Sequence, residues 1–179
     1  MDLSRYEFSH DMSNNNLYDH SKLPKLLKKN KNFLSTFSTF DVSCCFEYNG
    51  LKFKTVQHAL QYMKYSLQKL NSSDMFSLKS NSALSKRSAR RASRIGSRLP
   101  MSSEQKKTWN AMEDILIAEI TEEKYAQNAH TLFAQLLCAT ENKELWCIEQ
   151  NNFKKRAFYL EHIRERLQLV INVVNLCFE

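Results

Sequence analysis

Gln57 and His58 follow Thr55-Val56 at the start of an apolar-periodic run, with Gln61 and Lys64 one and two turns further on. The first turn of a helix offers unpaired backbone N–H groups and the positive end of its dipole, a natural seat for an anion. Residues 85–98 supply more positive charge through Lys86, Arg87, Arg90, Arg91, Arg94 and Arg98. As a helix this segment would set Arg87, Arg91 and Arg94 on one face, flanked by Arg90 and Arg98. Such a face fits phosphate, and a solvated face accounts for the same pattern. The serines of the segment are open to phosphorylation, which would weaken the positive patch. Trp109 and Trp146 suit a core, although an exposed indole would stack on a base. Groups for catalysis are harder to find. No Ser/His/Asp or Cys/His set stands out by spacing. Glu113-Asp114 and Glu122-Glu123 are neighbours in sequence, and neighbours on a helix point apart. His58 and His130 have the chemistry of acid–base groups, yet a lone helical histidine is more often structural.

The elements that must position these residues begin with a hairpin. Phe46-Glu47-Tyr48 and Leu51-Lys52-Phe53 alternate in polarity around Asn49-Gly50, and Asn-Gly suits a type I′ turn. Thr55 is placed to cap a helix with Val56, Ala59, Leu60, Met63 and Leu67 on its apolar face. Gln57, Gln61, Lys64 and Gln68 then fall largely on the other side. A hairpin carrying polar groups to a helix N-terminus is a ligand platform, but a hairpin packed on its own helix explains the pattern better. Residues 1–22 are polar and read as a flexible arm, and residues 23–179 read as the domain. Pro24 to Lys31 suggests one helical turn, and Phe37 and Phe40 are core candidates. Ser73 is placed to cap a short helix through Lys79. A helix starts near Ser102 and carries Trp109, Met112 and Leu116; Thr121 reads as a cap dividing it from a helix over 122–139. Leu145 to Ile148 fits a buried strand, and a last helix runs from about Phe153 to Asn175.

Composition narrows the function. The chain has 179 residues, enough for one core, with a net charge of +7 that favours anionic partners. Two glycines and two prolines argue for long helices and against a Gly-rich phosphate loop or dinucleotide fingerprint. No apolar run is long enough to span a membrane, and residues 1–16 have no signal-peptide core. Five irregularly spaced cysteines imply reduced thiols in cytosol or nucleus. The histidines stand at no ligand spacing from a cysteine, so neither metal nor cofactor is expected.

In order along the chain, several segments resemble the NADAR (YbiA-like) N-glycosidase family. Phe33-Leu34-Ser35-Thr36-Phe37 resembles its opening F-S-N-F motif. Phe53, Lys54, Thr55, Gln57, His58, Gln61 and Lys64 match its W-P-T-x-E-H-Y-x-Q-A-x-K helix. Ala92 to Arg98 is similar to an A-x-x-x-G-R segment, and Lys107-Thr108-Trp109-Asn110 to a tryptophan-containing helix start. Lys124-Tyr125-Ala126-Gln127-Asn128 resembles K-F-x-Q-N, Leu136 to Thr140 resembles L-L-x-T-G, and Arg164-Glu165-Arg166-Leu167 resembles the closing R-E-x-L. The likeness spans roughly residues 33–168.

That resemblance implies a mainly helical, single compact α+β domain with a short N-terminal β-hairpin. It implies cleavage of N-glycosidic bonds in phosphoribosyl or ADP-ribosyl compounds, and so a phosphorylated ribosyl or ADP-ribose-like small molecule as ligand. It places Gln57, Trp109 and Asn152 at catalytic positions, and His58, Gln61, Lys64, Arg94 and Arg98 at ligand-binding ones. The departures are specific. The family glutamate is Gln57 here, the later acid is Asn152, and the Gly-rich loop before the last helix is missing. Cleavage through an oxocarbenium-like state relies on a carboxylate, so the expected protein is a ligand-binding pseudoenzyme. Two alternatives stay open: an active N-glycosidase with a shifted acid (Glu47, Glu113 or Glu149), and a nucleic-acid or protein-interaction module using residues 86–98. A Lys- and Asn-rich, divergent chain also suits a virus or AT-rich genome, which extends the expected location to a host cell.

Overall fold

Alternating aromatic and apolar residues, one Asn-Gly turn and long apolar-periodic runs build a mainly helical α+β fold. The computed structural model describes residues 5–9, 24–30, 32–70, 72–148 and 154–177. The elements are β1 (Arg5–Ser9), α1 (Lys25–Lys29), β2 (Phe46–Tyr48), β3 (Leu51–Phe53), α2 (Val56–Ser66), α3 (Ala83–Lys86), α4 (Ala89–Gly96), α5 (Ser103–Gln127), α6 (Leu132–Cys138), β4 (Glu144–Ile148), β5 (Lys154–Arg156) and α7 (Phe158–Cys177). Short 3₁₀ turns occupy Phe33–Phe37, Ser73–Phe76 and Leu78–Ser80. The residues gather into two compact units, one of 1–38 with 128–179 and one of 39–127.

The first unit is held by a three-stranded sheet in the order β1-β4-β5, with β1 parallel and β5 antiparallel to β4. Residues 5–9 were expected within a polar arm. They form a strand instead, because Tyr6 and Phe8 are buried and meet Phe33 and Phe37 edge to face. Glu161 accepts the Leu145 N–H and the Nε and Nη2 groups of Arg156, whose Nη1 pairs with Glu144, and this fixes the start of α7 against the sheet. Buried Arg164, from the R-E-x-L-like segment, donates to Thr140 Oγ1 and to the Lys143 carbonyl, each at 2.8 Å. The strand β5 occupies 154–156, where the last helix was expected to have begun already.

The second unit is built around α2. The hairpin turns at Asn49 and Gly50, whose φ values of 51° and 72° are the left-handed pair that a type I′ turn requires. Phe46 and Phe53 face the core together with Val56, Leu60, Trp109, Leu116 and Ile120. Three expectations change. Ser73 starts a 3₁₀ turn with no side-chain cap, and a separate 3₁₀ turn over Leu78–Ser80 stands where the helix was expected to continue to Lys79. The arginine-rich segment is two helices, since Arg87 is extended and Ser88 caps α4 by accepting the Arg91 N–H. Thr121 does not divide a helix, because α5 runs unbroken for 25 residues and buries Leu116, Ile120, Thr121, Lys124 and Tyr125 along its inner side.

Two contacts tie the hairpin end of this unit to α5. Gln127 accepts the Glu47 N–H at 2.7 Å and donates to the Glu47 carbonyl at 2.8 Å, pairing with β2 as a further strand would. Lys124 Nζ lies 2.8 Å from Asp41 Oδ2 and 3.1 Å from the Asp41 carbonyl, and both side chains are buried. Truncating one member of a buried pair strands the other charge, at a cost of about 3–5 kcal/mol. Lys124→Met and Asp41→Leu should each lower the urea midpoint strongly, and the double variant should recover a large part of the loss. Equal midpoints for the singles and the wild type would show that the pair holds nothing.

Candidate functional site

The site grows from the first turns of α2. Thr55 has an extended backbone and its Oγ1 accepts the His58 N–H at 3.2 Å, so α2 starts at a true side-chain cap. The Gln57 N–H donates to the Thr39 carbonyl at 2.9 Å. Two of the donors that would form an anion seat at the helix start are thus already engaged inside the protein. An anion must be met by side chains.

Gln57, His58 and Gln61 lie inside the unit, with exposures of 7%, 0% and 4%. The sequence pattern set Gln57 and Gln61 on an outward face. The structure buries them because α2 packs against β3, the Ser73–Phe76 turn, α4 and α5. Thr55 Oγ1 stands 2.8 Å from His58 Nδ1. That oxygen already accepts the His58 N–H, so its own proton is free to go to Nδ1, which leaves the ring hydrogen on Nε2. Nε2 makes no hydrogen bond of ordinary geometry. Burial pushes the His58 imidazole down to about 4; the Leu84 and Arg87 backbone opposes the shift and the Lys54 charge adds to it. His58 is therefore neutral at pH 7 and packs next to the end of α3, where Lys54 Nζ also reaches the Lys86 carbonyl.

Gln61 meets α4. A Cβ on Gly96 would stand 1.5 Å from Gln61 Oε1 and 2.3 Å from its Cδ, so the missing side chain of Gly96 is the space the amide fills. Oε1 has no hydrogen-bond partner. The rest of the α4 seam is Ala89 and Ala92, both buried, which lets the two helix backbones approach closely. Arg94 and Arg98 are on the exposed side of α4 and its C-terminal end, next to this seam.

One turn beyond Gln61, Lys64 Nζ sits 5.2 Å from the centroid of the buried Trp109 ring, an arrangement favoured by the ring quadrupole. Burial lowers the Lys64 pKa and the Glu113 charge partly restores it. Glu113 is thereby placed within electrostatic reach of Lys64, one turn along α5 from Trp109. The structure thus brings Gln57, His58, Gln61, Lys64 and Trp109 onto or against one stripe of α2, with α4 alongside. Asn152 and Glu149 lie outside the described residues. Among the described residues, Gln57, His58 and Gln61 bond to no carboxylate, and no cluster of metal-ligating side chains occurs. Nothing was drawn from Gly96 itself in the sequence analysis. Its signal was its position, a lone glycine amid good helix formers, which marks close backbone approach.

No family model matches the chain, and no curated protein matches it. Among solved structures it is similar to the NMR structure of the E. coli protein YbiA, with a TM-score of 0.54 and 17% identity over 98% of this chain and 89% of that one. At this identity the likeness establishes the fold. No helix among the described residues is long and apolar enough to cross a membrane.

Two outcomes are expected from this packing. Gly96→Ala, which in an open helix gains about 1 kcal/mol, should here destabilise by about 1–3 kcal/mol because Gln61 must leave its seat; Gln61→Ala in the same chain should relieve it, read as urea midpoints. The second concerns pH. A histidine held at about 4 in the folded chain, against 6.5 unfolded, binds fewer protons folded than unfolded between those values. Stability should be complete above about pH 6.5 and fall by about 3 kcal/mol as pH drops to 4. His58→Asn should flatten the profile in that window; an unchanged slope would exclude His58 as its source.

Proposed function

We propose that the chain is a divergent NADAR-like domain that binds a phosphorylated ribosyl or ADP-ribose-like small molecule beside α2, with glycosidic cleavage largely or wholly lost. The observation that carries this reading is Gln57. It occupies the position matching the family glutamate, is 7% exposed, and has no carboxylate bonded to it or to its neighbours His58 and Gln61. In an oxocarbenium-like transition state the sugar becomes cationic, and a carboxylate stabilises it more than the neutral ground state. An amide offers only a dipole. Arg94 and Arg98 would grip phosphate through guanidinium forks. Their hold on phosphate is already made in the ground state and does not raise kcat. Gln61, with an unpartnered buried oxygen, supplies an acceptor for a ligand hydroxyl, and Lys64 over Trp109 supplies a cation at the far end of the stripe.

A second reading, an active N-glycosidase with a shifted acid, draws on Glu113. Its charge acts on Lys64 beside Trp109, which makes it the described alternative acid nearest the stripe. Calorimetric titration should give saturable ADP-ribose binding. Chromatography of incubations with phosphoribosyl and ADP-ribosylated substrates should show release below roughly a few thousandths of that of a family member with its acids intact. Gln57→Glu, alone and with Asn152→Asp, should raise that release. Robust wild-type turnover would overturn the degenerate reading, and its abolition by Glu113→Gln would establish the second.

A further inference from the structure

The arginine-rich α4 holds a feature that ligand binding does not use. Arg90-Arg91-Ala92-Ser93 places two guanidinium groups three and two residues before a serine. That spacing fits the acidic substrate groove of an arginine-directed serine kinase. Five serines stand on α3, α4 and their ends, and the structure separates them. Ser82 caps α3 by accepting the Ser85 N–H and donates to the Met75 carbonyl. Ser85 is buried and donates to the Ser82 carbonyl. Ser88 caps α4 through its Oγ. Ser97 donates to the Arg94 carbonyl at 2.9 Å. Ser93 is half-buried, and among the described residues its hydroxyl makes no hydrogen bond.

We propose that Ser93 is a phosphoacceptor for an arginine-directed serine kinase, and that its phosphate neutralises the basic face of α4. The kinase supplies magnesium-bound ATP. Ser93 Oγ attacks the γ-phosphorus, the bond from that phosphorus to the β-bridging oxygen breaks, the hydroxyl proton passes to the kinase base, and ADP leaves.

The helix is built to admit this. It has eight residues, below the length at which a helix stands alone in water. Within α4, Arg90 and Arg94 stand four residues apart and Arg91 and Arg94 three, spacings at which like charges oppose helix formation. Its buried side is only Ala89, Ala92 and Gly96. Local opening into the extended form a kinase groove takes is therefore easily reached. Once folded back, a phosphate on Ser93 carries about −1.5 to −2 charge at pH 7. It stands one turn after Arg90 and next to Arg94, within reach of both guanidinium forks.

The test treats the folded full-length chain with such a kinase and ATP, then maps the phosphate by mass spectrometry and measures retention on immobilised heparin. One phosphoryl group per chain is expected on Ser93. It should be lost in Ser93→Ala, mostly lost in Arg90→Ala with Arg91→Ala, and retained in Ser97→Ala. The phosphorylated chain should leave heparin at lower salt than the unmodified one. No incorporation, or incorporation confined to Ser88 or Ser97, overturns the site. Unchanged heparin retention overturns its effect on the patch. Neither readout depends on ADP-ribose binding, so the two proposals fail separately.

Discussion

The second unit depends on burying the polar start of one helix. Gln57, His58 and Gln61 would ordinarily turn to solvent, and each unbonded polar group taken from water costs about 1–3 kcal/mol by mutational measures. The protein meets part of this cost and leaves part of it standing. Thr55 satisfies both the His58 N–H and one ring nitrogen. Gln61 Oε1 and His58 Nε2 keep no ordinary hydrogen bond. The space for the Gln61 amide exists only because Gly96 has no side chain. Strand β3, the Ser73–Phe76 turn, α4 and α5 are thus all packed against this helix. A violation of local rules that so much packing is arranged to tolerate marks a place kept for something other than stability.

How much of this could be read from the sequence follows from how far each signal reaches. The hairpin was legible because a type I′ turn demands left-handed residues, and Asn49-Gly50 is a local statement of that demand. Thr55 as a cap was legible for the same reason. Thr121 misled because a threonine serves both as a cap and as a buried helix residue, and only the inward faces of Ile120 and Tyr125 decide between them. The strand at residues 5–9 was invisible, since its partner is β4, far along the chain, and parallel pairing leaves no turn between the strands. At the candidate site, motif order named Gln57, Gln61, Lys64 and Trp109, and the helical spacing that sets the first three along one side of α2 was legible. The burial of the two glutamines was not, because glutamine is a surface residue by habit and only surrounding elements can enclose it.

Several family-like residues turn out to hold the fold. Lys124 and Gln127, both from the K-Y-A-Q-N run, fasten Asp41 and β2 to α5. Arg164, from R-E-R-L, fastens the α6–β4 turn to α7. Such contacts use specific donors at fixed distances and tolerate little change, whereas an acid needed only for turnover can be replaced without harm to packing. A chain can therefore keep the architecture seen in YbiA at 17% identity while residues that hold no packing change freely.

Charge gives the remaining distinction between holding a ligand and breaking its glycosidic bond. The described stripe runs from a neutral amide at Gln57, past a neutral imidazole at His58, to the Lys64 ammonium over Trp109. With Arg94 and Arg98 alongside, the field favours phosphate. The same field opposes positive charge growing on a sugar ring, so every cation that improves binding raises the barrier to a dissociative step unless a carboxylate offsets it. Glu113 partly offsets Lys64, at the end of the stripe away from Gln57. Under the proposed function these cations weigh toward recognition over cleavage, and the acid coupled to the stripe, Glu113, already acts on Lys64.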